Sequence, residues 1–231
     1  KTWSKPEVAA ASKGATFNNP CLMYDREKKQ IVLFFQRYPE GVKERTPDIP
    51  TGWKDDRCIR NFVCFSKNGK KWSKPKDVTQ FTKNDGVTIT CSGPNPGVQI
   101  TRGEHKGRIV VPLNEGPFGN WTLAAAYSDN GGKNWHIGQK SDAGRGINEV
   151  SAVETETGGV FVVSRAWGGN RHLFCPSTEG CQAYIKEAIT ALFTAVPHLA
   201  GFLDITTGEC LSGCGSASTL SCPRCRENFG T

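Results

Sequence analysis

A chain of 231 residues is long enough for one large domain or two small ones, and for a sizeable buried core. Its 37% hydrophobic content with 26 glycines and 13 prolines argues against a mainly helical protein, and no apolar run is long enough to cross a bilayer as a helix. The net charge of +7 arises from lysines and arginines interspersed with acids, which weighs against nucleic-acid binding and leaves a mild field favourable to an anionic ligand.

The chain opens on Lys-Thr-Trp-Ser-Lys-Pro and writes nearly the same phrase again from Lys70 to Pro75. The second copy is prefaced by Ser66-Lys67-Asn68-Gly69, and a third copy runs from Ser128 to Trp135 with the same preface. Trp3, Trp72 and Trp135 thus recur roughly 65 residues apart, a period that signals a repeat architecture. Lys1–Pro6 reads as the tail of a first copy whose head lies upstream. Between the copies, Ile31–Tyr38, Arg108–Asn114, Thr122–Ser128 and Gly158–Arg165 are short apolar runs rich in β-branched and aromatic residues, which predicts strands. Hairpin loops are expected over the Tyr24–Ile31 and Ser128–Trp135 stretches. Short antiparallel strands with a repeated aromatic motif predict a mainly β protein, a β-propeller with one blade per repeat.

Beyond about residue 172 the pattern changes. Cys181–Pro197 has apolar residues near helical spacing and ends at proline, so it predicts a helix; Leu199–Thr207 then reads as a buried strand. The division expected is a propeller portion over 1–172 and a small, cysteine-rich α/β segment over 173–231. Six of the ten cysteines fall in that segment. Cys210, Cys214, Cys222 and Cys225 form two tight pairs; zinc prefers such a four-thiolate set, and two disulfides or free thiols fit the spacing too. The propeller portion calls for no cofactor.

The repeated Ser-x-Asp-x-Gly-x-x-Trp pattern is the Asp box, here with Asn68 and Asn130 where aspartate is usual. Asparagine keeps the carbonyl acceptor and tolerates left-handed φ, so the turn should survive. Ser92–Ile100, the Gly107–Asn114 strand and the Ile147–Arg165 segment, in this order around the boxes, resemble the exo-α-sialidase (neuraminidase) family. Asn95 departs from a common glycine. The resemblance covers roughly residues 1–171 and implies an incomplete sialidase-type propeller, a sialylated glycan or related acidic sugar as partner, and a secreted or periplasmic location. It implies neither nucleic-acid binding nor membrane insertion. It assigns Glu149 as the glutamate that activates a tyrosine nucleophile, and Arg165 as one arm of the arginine clamp on the substrate carboxylate. A tyrosine near pKa 10 needs a neighbouring carboxylate to take its proton, and the guanidinium fork matches a carboxylate bidentately. The family's tyrosine, its aspartate acid/base and its other two arginines find no matching motif here, so the chain is expected to carry part of a site. Structural roles remain open for both residues: Glu149 capping a turn, Arg165 pairing with Glu154. A non-catalytic carbohydrate-binding protein on a degenerate propeller is the alternative function. The segment after Gly180 is weakly similar to a strand-and-loop piece of a TIM-barrel glycosidase, which would put Glu209 at a strand end.

Overall fold

Strand β1 (Thr16–Asp25) alternates strictly towards its end: Cys21, Met23 and Asp25 are buried while Leu22 and Tyr24 are exposed. This period of two marks a sheet with one face on the core and one turned away. The computed structural model describes residues 5–93, 95–141, 147–166 and 179–197. The chain divides into two compact units, Lys1–Gly169 and Asn170–Thr231.

In the first unit the strands make successive antiparallel sheets. One blade is β1, β2 (Gln30–Tyr38), β3 (Arg60–Ser66) and the short β4 (Lys76–Asp77), hydrogen-bonded in chain order. The next runs from β5 (Ile89–Ser92) through β7 (Ile109–Gly116) and β8 (Thr122–Ser128) to β9 (His136–Ile137). The two-residue β6 (Val98–Gln99) also pairs with β7, so the innermost strand of this blade is two pieces split by the turn at 93–97. A third sheet consists, among the described residues, of β10 (Ile147–Glu154) and β11 (Val160–Ala166). A four-residue helix α1 (Thr79–Thr82) follows β4. The second unit contributes α2 (Glu179–Ala195), where the sequence predicts a helix; Leu199–Thr207 and the cysteine tail lie outside the described residues. The architecture is mainly β, an incomplete propeller that shows, among the described residues, two blades and a strand pair of a third.

The first two blades meet face to face. Met23, Phe34 and Val63 of one pack with Ile109, Val111, Leu113 and Trp135 of the other. All eight residues of β7 are buried, since it has a neighbouring blade on both faces.

Both complete Asp boxes close their turns as the motif requires. Ser66 Oγ accepts from Asn68 N–H and Gly69 N–H, and Ser128 Oγ from Asn130 N–H and Gly132 N–H. The second box has one more residue in that loop, hence the shift from i+3 to i+4. Asn68 Oδ1 accepts from Lys70 N–H and Lys71 N–H, and Asn130 Oδ1 from Asn134 N–H, so the amide oxygen serves where a carboxylate is usual. Each tryptophan donates its indole N–H to the box glycine three residues back: Trp72 to Gly69 O at 3.1 Å, Trp135 to Gly132 O at 2.8 Å. The two boxes are equivalent in bonding and differ in burial.

These bonds fix the polarity of the unit. The boxes follow the C-terminal ends of β3 and β8. The β1–β2 hairpin lies at that end too, because Ile31 pairs with Ser66. We call this the box end. The long β2–β3 loop, 39–59, leaves from the opposite, loop end. It is held there by Lys83, fully buried, whose ammonium donates to the carbonyls of Gly52 (2.7 Å), Ile59 (3.1 Å) and Thr88 (3.0 Å).

Burial pushes the Lys83 ammonium down to about 8, against an opposing pull from Cys58 and Glu115. Its proton is therefore held less tightly folded than unfolded, where lysine titrates near ~10.4. Between about pH 8 and about 10.5 the unfolded chain binds more protons, so this group's contribution to stability rises with pH and is lost as pH falls through 8. The full swing is about 3 kcal/mol at about 1.4 kcal/mol per pKa unit. Urea denaturation at pH 7.5 and pH 10, compared between the protein and Lys83→Met, isolates it, since cysteine and tyrosine titration is common to both. We expect the protein to gain on the variant at pH 10; a constant difference would show that burial leaves Lys83 holding its proton as tightly folded as unfolded.

Candidate active site

The loop end gathers a second apolar cluster, separate from the core between blades. Tyr38, Val42, Ile49, Ile59, Ile89, Cys91 and Trp121 are buried there, with Phe118 and Ile147 packed against them. Ile147 begins β10, so the cluster anchors the strand that carries Glu149.

The pairing of β10 with β11 is regular from Glu154↔Val160 to Val150↔Ser164 and resumes at Ile147↔Ala166. Between these partners stand Asn148 and Glu149 on one strand and Arg165 on the other. Two residues against one is a β-bulge, a device that re-aims side chains and is frequent beside active sites. Asn148 N–H leaves the ladder and donates to Ser164 Oγ at 3.0 Å. Glu149 and Arg165, the two residues singled out by sequence, therefore sit opposite each other at the loop end. Glu149 is half-buried. For Arg165 only the backbone is described.

The structural role considered for Arg165 does not fit this register. Glu154 lies at the other end of the ladder, five residues from Glu149, or ~16 Å of strand. Its carboxylate is already engaged: Thr101 Oγ1, Thr101 N–H and Arg102 N–H donate to it, with the Arg102 guanidinium alongside. The hydroxyl of Thr101, foremost, holds it below the usual carboxylate range.

What holds β10 in place is a backbone contact. A Cβ at Gly93 would lie 1.9 Å from the carbonyl oxygen of Val150. Two residues on, Asn95 Nδ2 donates to that same oxygen at 3.3 Å. The asparagine that departs from the usual glycine thus pins the turn to the strand bearing Glu149.

Two clefts open at the loop end on either side of Glu44. One, about 390 Å³, is lined by Thr16, Asn18, Asn19, Tyr38 and Val42; the other, about 520 Å³, by Arg45, Ile49, Thr88 and Phe118. Asn19 has a left-handed φ of 49°, next to a register shift in β1. Its carbonyl accepts from Ser92 Oγ at 2.7 Å. Arg45 stacks on the Phe118 ring, 4.8 Å from its centroid. Glu149 lines neither cleft. Sequence reasoning missed these residues because they come from β1, the end of β2, the 39–59 loop and the segments before β5 and after β7, and no local pattern tells that these converge.

Tyr38, beside Glu44 and Cys91, invites a nucleophilic role that its environment denies. Its hydroxyl lies 3.3 Å from Cys91 Sγ, and burial raises it well above the ordinary tyrosine range; burial pushes Cys91 up to about 12. Both stay protonated and serve as packing. Among the described residues no group of three or more His, Cys, Asp or Glu side chains is placed to hold a metal ion; Cys210, Cys214, Cys222, Cys225 and Glu209 lie outside those residues.

Comparison with known proteins matches the BNR repeat-like domain to residues 1–207. Similar proteins include the sialidase of Micromonospora viridifaciens, 27% identical over 195 residues, or 80% of this chain and 29% of that one. Sialidase-3 of Bos taurus is 26% identical over 221 residues, 89% of this chain and 44% of that one. The chain thus spans less than half the length of these relatives. Among solved structures, the Hadza microbial sialidase Hz136 superposes with a TM-score of 0.63 at 18% identity, covering 71% of this chain and 33% of that one. The intramolecular trans-sialidase of Ruminococcus gnavus gives 0.56 at 18% identity, covering 70% and 51%. At such identity the structural likeness is one of fold.

Proposed function

Because the chain belongs to the BNR repeat-like domain family and is an exo-α-sialidase family member, we propose that it serves a glycosidase acting on terminal sialic acids of glycoconjugates and that these 231 residues carry part of its site. The observation that carries the reading is the bulge that sets Glu149 against Arg165 at the loop end. In this role the Glu149 carboxylate takes the proton of a tyrosine nucleophile, which avoids driving an anionic nucleophile at an anionic sugar. Arg165 offers a planar fork to the sugar carboxylate. The motifs for the tyrosine, the aspartate and two further arginines have no match in this sequence, so the isolated chain binds without appreciable turnover.

Saturation-transfer NMR with sialyllactose tests this. We expect transfer to the sialic acid protons, loss of roughly ten-fold or more in affinity in Arg165→Ala, and negligible hydrolysis of a fluorogenic sialoside. Absence of transfer in both proteins would sink the sialic-acid reading. Robust hydrolysis abolished by Glu149→Gln would keep that reading and refute the partial site.

A further inference from the structure

The lysines that look dispersed in sequence converge in space at the box end. Lys28 and Lys29 lie on the β1–β2 hairpin, Lys67, Lys70, Lys71, Lys74 and Lys76 on and after the first box, and Lys133 on the second. All are exposed but Lys28, which is half-buried. Three bonds join these segments: Lys28 Nζ to Asn130 O, Lys67 Nζ to Lys28 O, and Lys76 Nζ to Lys133 O at 2.9 Å. A carbonyl partner orients an ammonium without cancelling its charge.

The acids of the same segments are mostly withdrawn from this field. Asp25 is buried and accepts from the N–H groups of Glu27 and Lys28 and the amides of Gln30 and Gln99. Asp77 pairs with Arg60 at 3.3 Å, and Asp129 is held in a fork by Arg108 at 2.6 and 3.0 Å. Glu27 is left against eight lysines. Towards the third sheet the same end becomes mixed, with Arg102, Lys106, Glu104, Glu154 and Glu156. An aromatic accompanies the basic part: Phe81 is 49% exposed beside a cleft of about 250 Å³ that it shares with Lys76, Lys133 and Trp135.

We propose that the box end of the propeller docks on an anionic lipid bilayer surface, with the lysines of the hairpin and both boxes over the headgroups and Phe81 at the headgroup boundary. The composition selects this partner. Lysine is a compact point charge without the fork that reads a discrete phosphate or sulfate, so a cluster of eight lysines with a single exposed arginine, Arg26 on the hairpin, fits a diffuse negative surface. An exposed ring amid such charges suits the interface, where an apolar tip and a basic rim are both satisfied. Docked in this way, the loop end with Glu149 faces away from the bilayer, open to glycans in solution or on an opposing surface.

Sedimentation of the full chain with vesicles tests the proposal. With phosphatidylcholine vesicles containing about 30% phosphatidylserine, at about 0.1 M salt, we expect partitioning at least ten-fold above pure phosphatidylcholine, and loss of that difference at about 0.5 M salt. The triple variant Lys70→Glu, Lys71→Glu, Lys74→Glu changes exposed side chains and should melt like the parent while losing at least ten-fold in partitioning. Phe81→Ser should weaken binding less and leave its salt dependence intact. Equal binding to neutral and anionic vesicles, no binding to either, or a triple variant that binds as the parent does would each overturn the proposal. So would retention on immobilised heparin without vesicle binding, which would assign the face to a soluble polyanion.

Discussion

Trp135→Ala is expected to cost about 3–5 kcal/mol of stability, and Trp72→Ala about 1 kcal/mol. The two tryptophans occupy the same place in the same motif and make the same indole bond, so the motif alone predicts equal effects. Packing separates them. Trp135 is 2% exposed, lies in the core between the two blades and packs its ring against Phe34 at 5.3 Å. Its removal empties the seam and leaves Gly132 O without its donor. Trp72 is half-exposed on the rim, so its loss forfeits the bond and partial burial. Urea midpoints of both variants would decide it: comparable losses would mean that the box hydrogen bonds, not the seam, dominate.

Gly93→Ala is expected to destabilise by about 3 kcal/mol or more, and to do so where it matters for function. The new Cβ would meet Val150 O at 1.9 Å and Val150 N at 2.8 Å, both backbone atoms that cannot rotate aside. Either β10 shifts outward or the 93–97 turn does, and Glu149 adjoins the displaced residue. Gly159→Ala is the control, because its nearest neighbour is a side chain, Thr155 Oγ1 at 3.1 Å, which can yield. Hydrogen exchange should quicken along β10 in the first variant and remain near parental in the second. Unchanged protection in β10 would show that the contact is looser than it stands.

Why some of this was legible in sequence and some was not follows from range. Thr122–Ser128 and Ile31–Tyr38 announce themselves because alternation and β-branching are local, and the boxes because serine, amide, glycine and tryptophan bond within eight residues. Strand β1 gives the opposite signal: Asn18-Asn19-Pro20 reads as punctuation, yet the strand continues across it through a register shift with Asn19 at positive φ. The positions of Glu149 and Arg165 were open to sequence reasoning through motif order, whereas the bulge that opposes them was not, since register belongs to the pair of strands. Least legible was Lys83, which looks like any surface lysine between Thr82 and Asn84. Only the convergence of three carbonyls, those of Gly52 and Ile59 distant in sequence and that of Thr88 nearby, makes it internal.

The unpaired thiols have a kinetic meaning. Cys21, Cys58, Cys64 and Cys91 are all buried, one or more in each complete blade or the loop that leaves it, and burial raises Cys21 to about 12 and Cys64 to about 11. A thiol that is both enclosed and protonated does not react with an alkylating reagent; it does so once its surroundings open and its pKa returns towards ~8.5. Among the described residues Cys21, Cys64 and Cys91 are therefore clocks, each started by a local opening. Mass mapping of the labelled peptides against time would rank blades by how often they breathe, without a mutation.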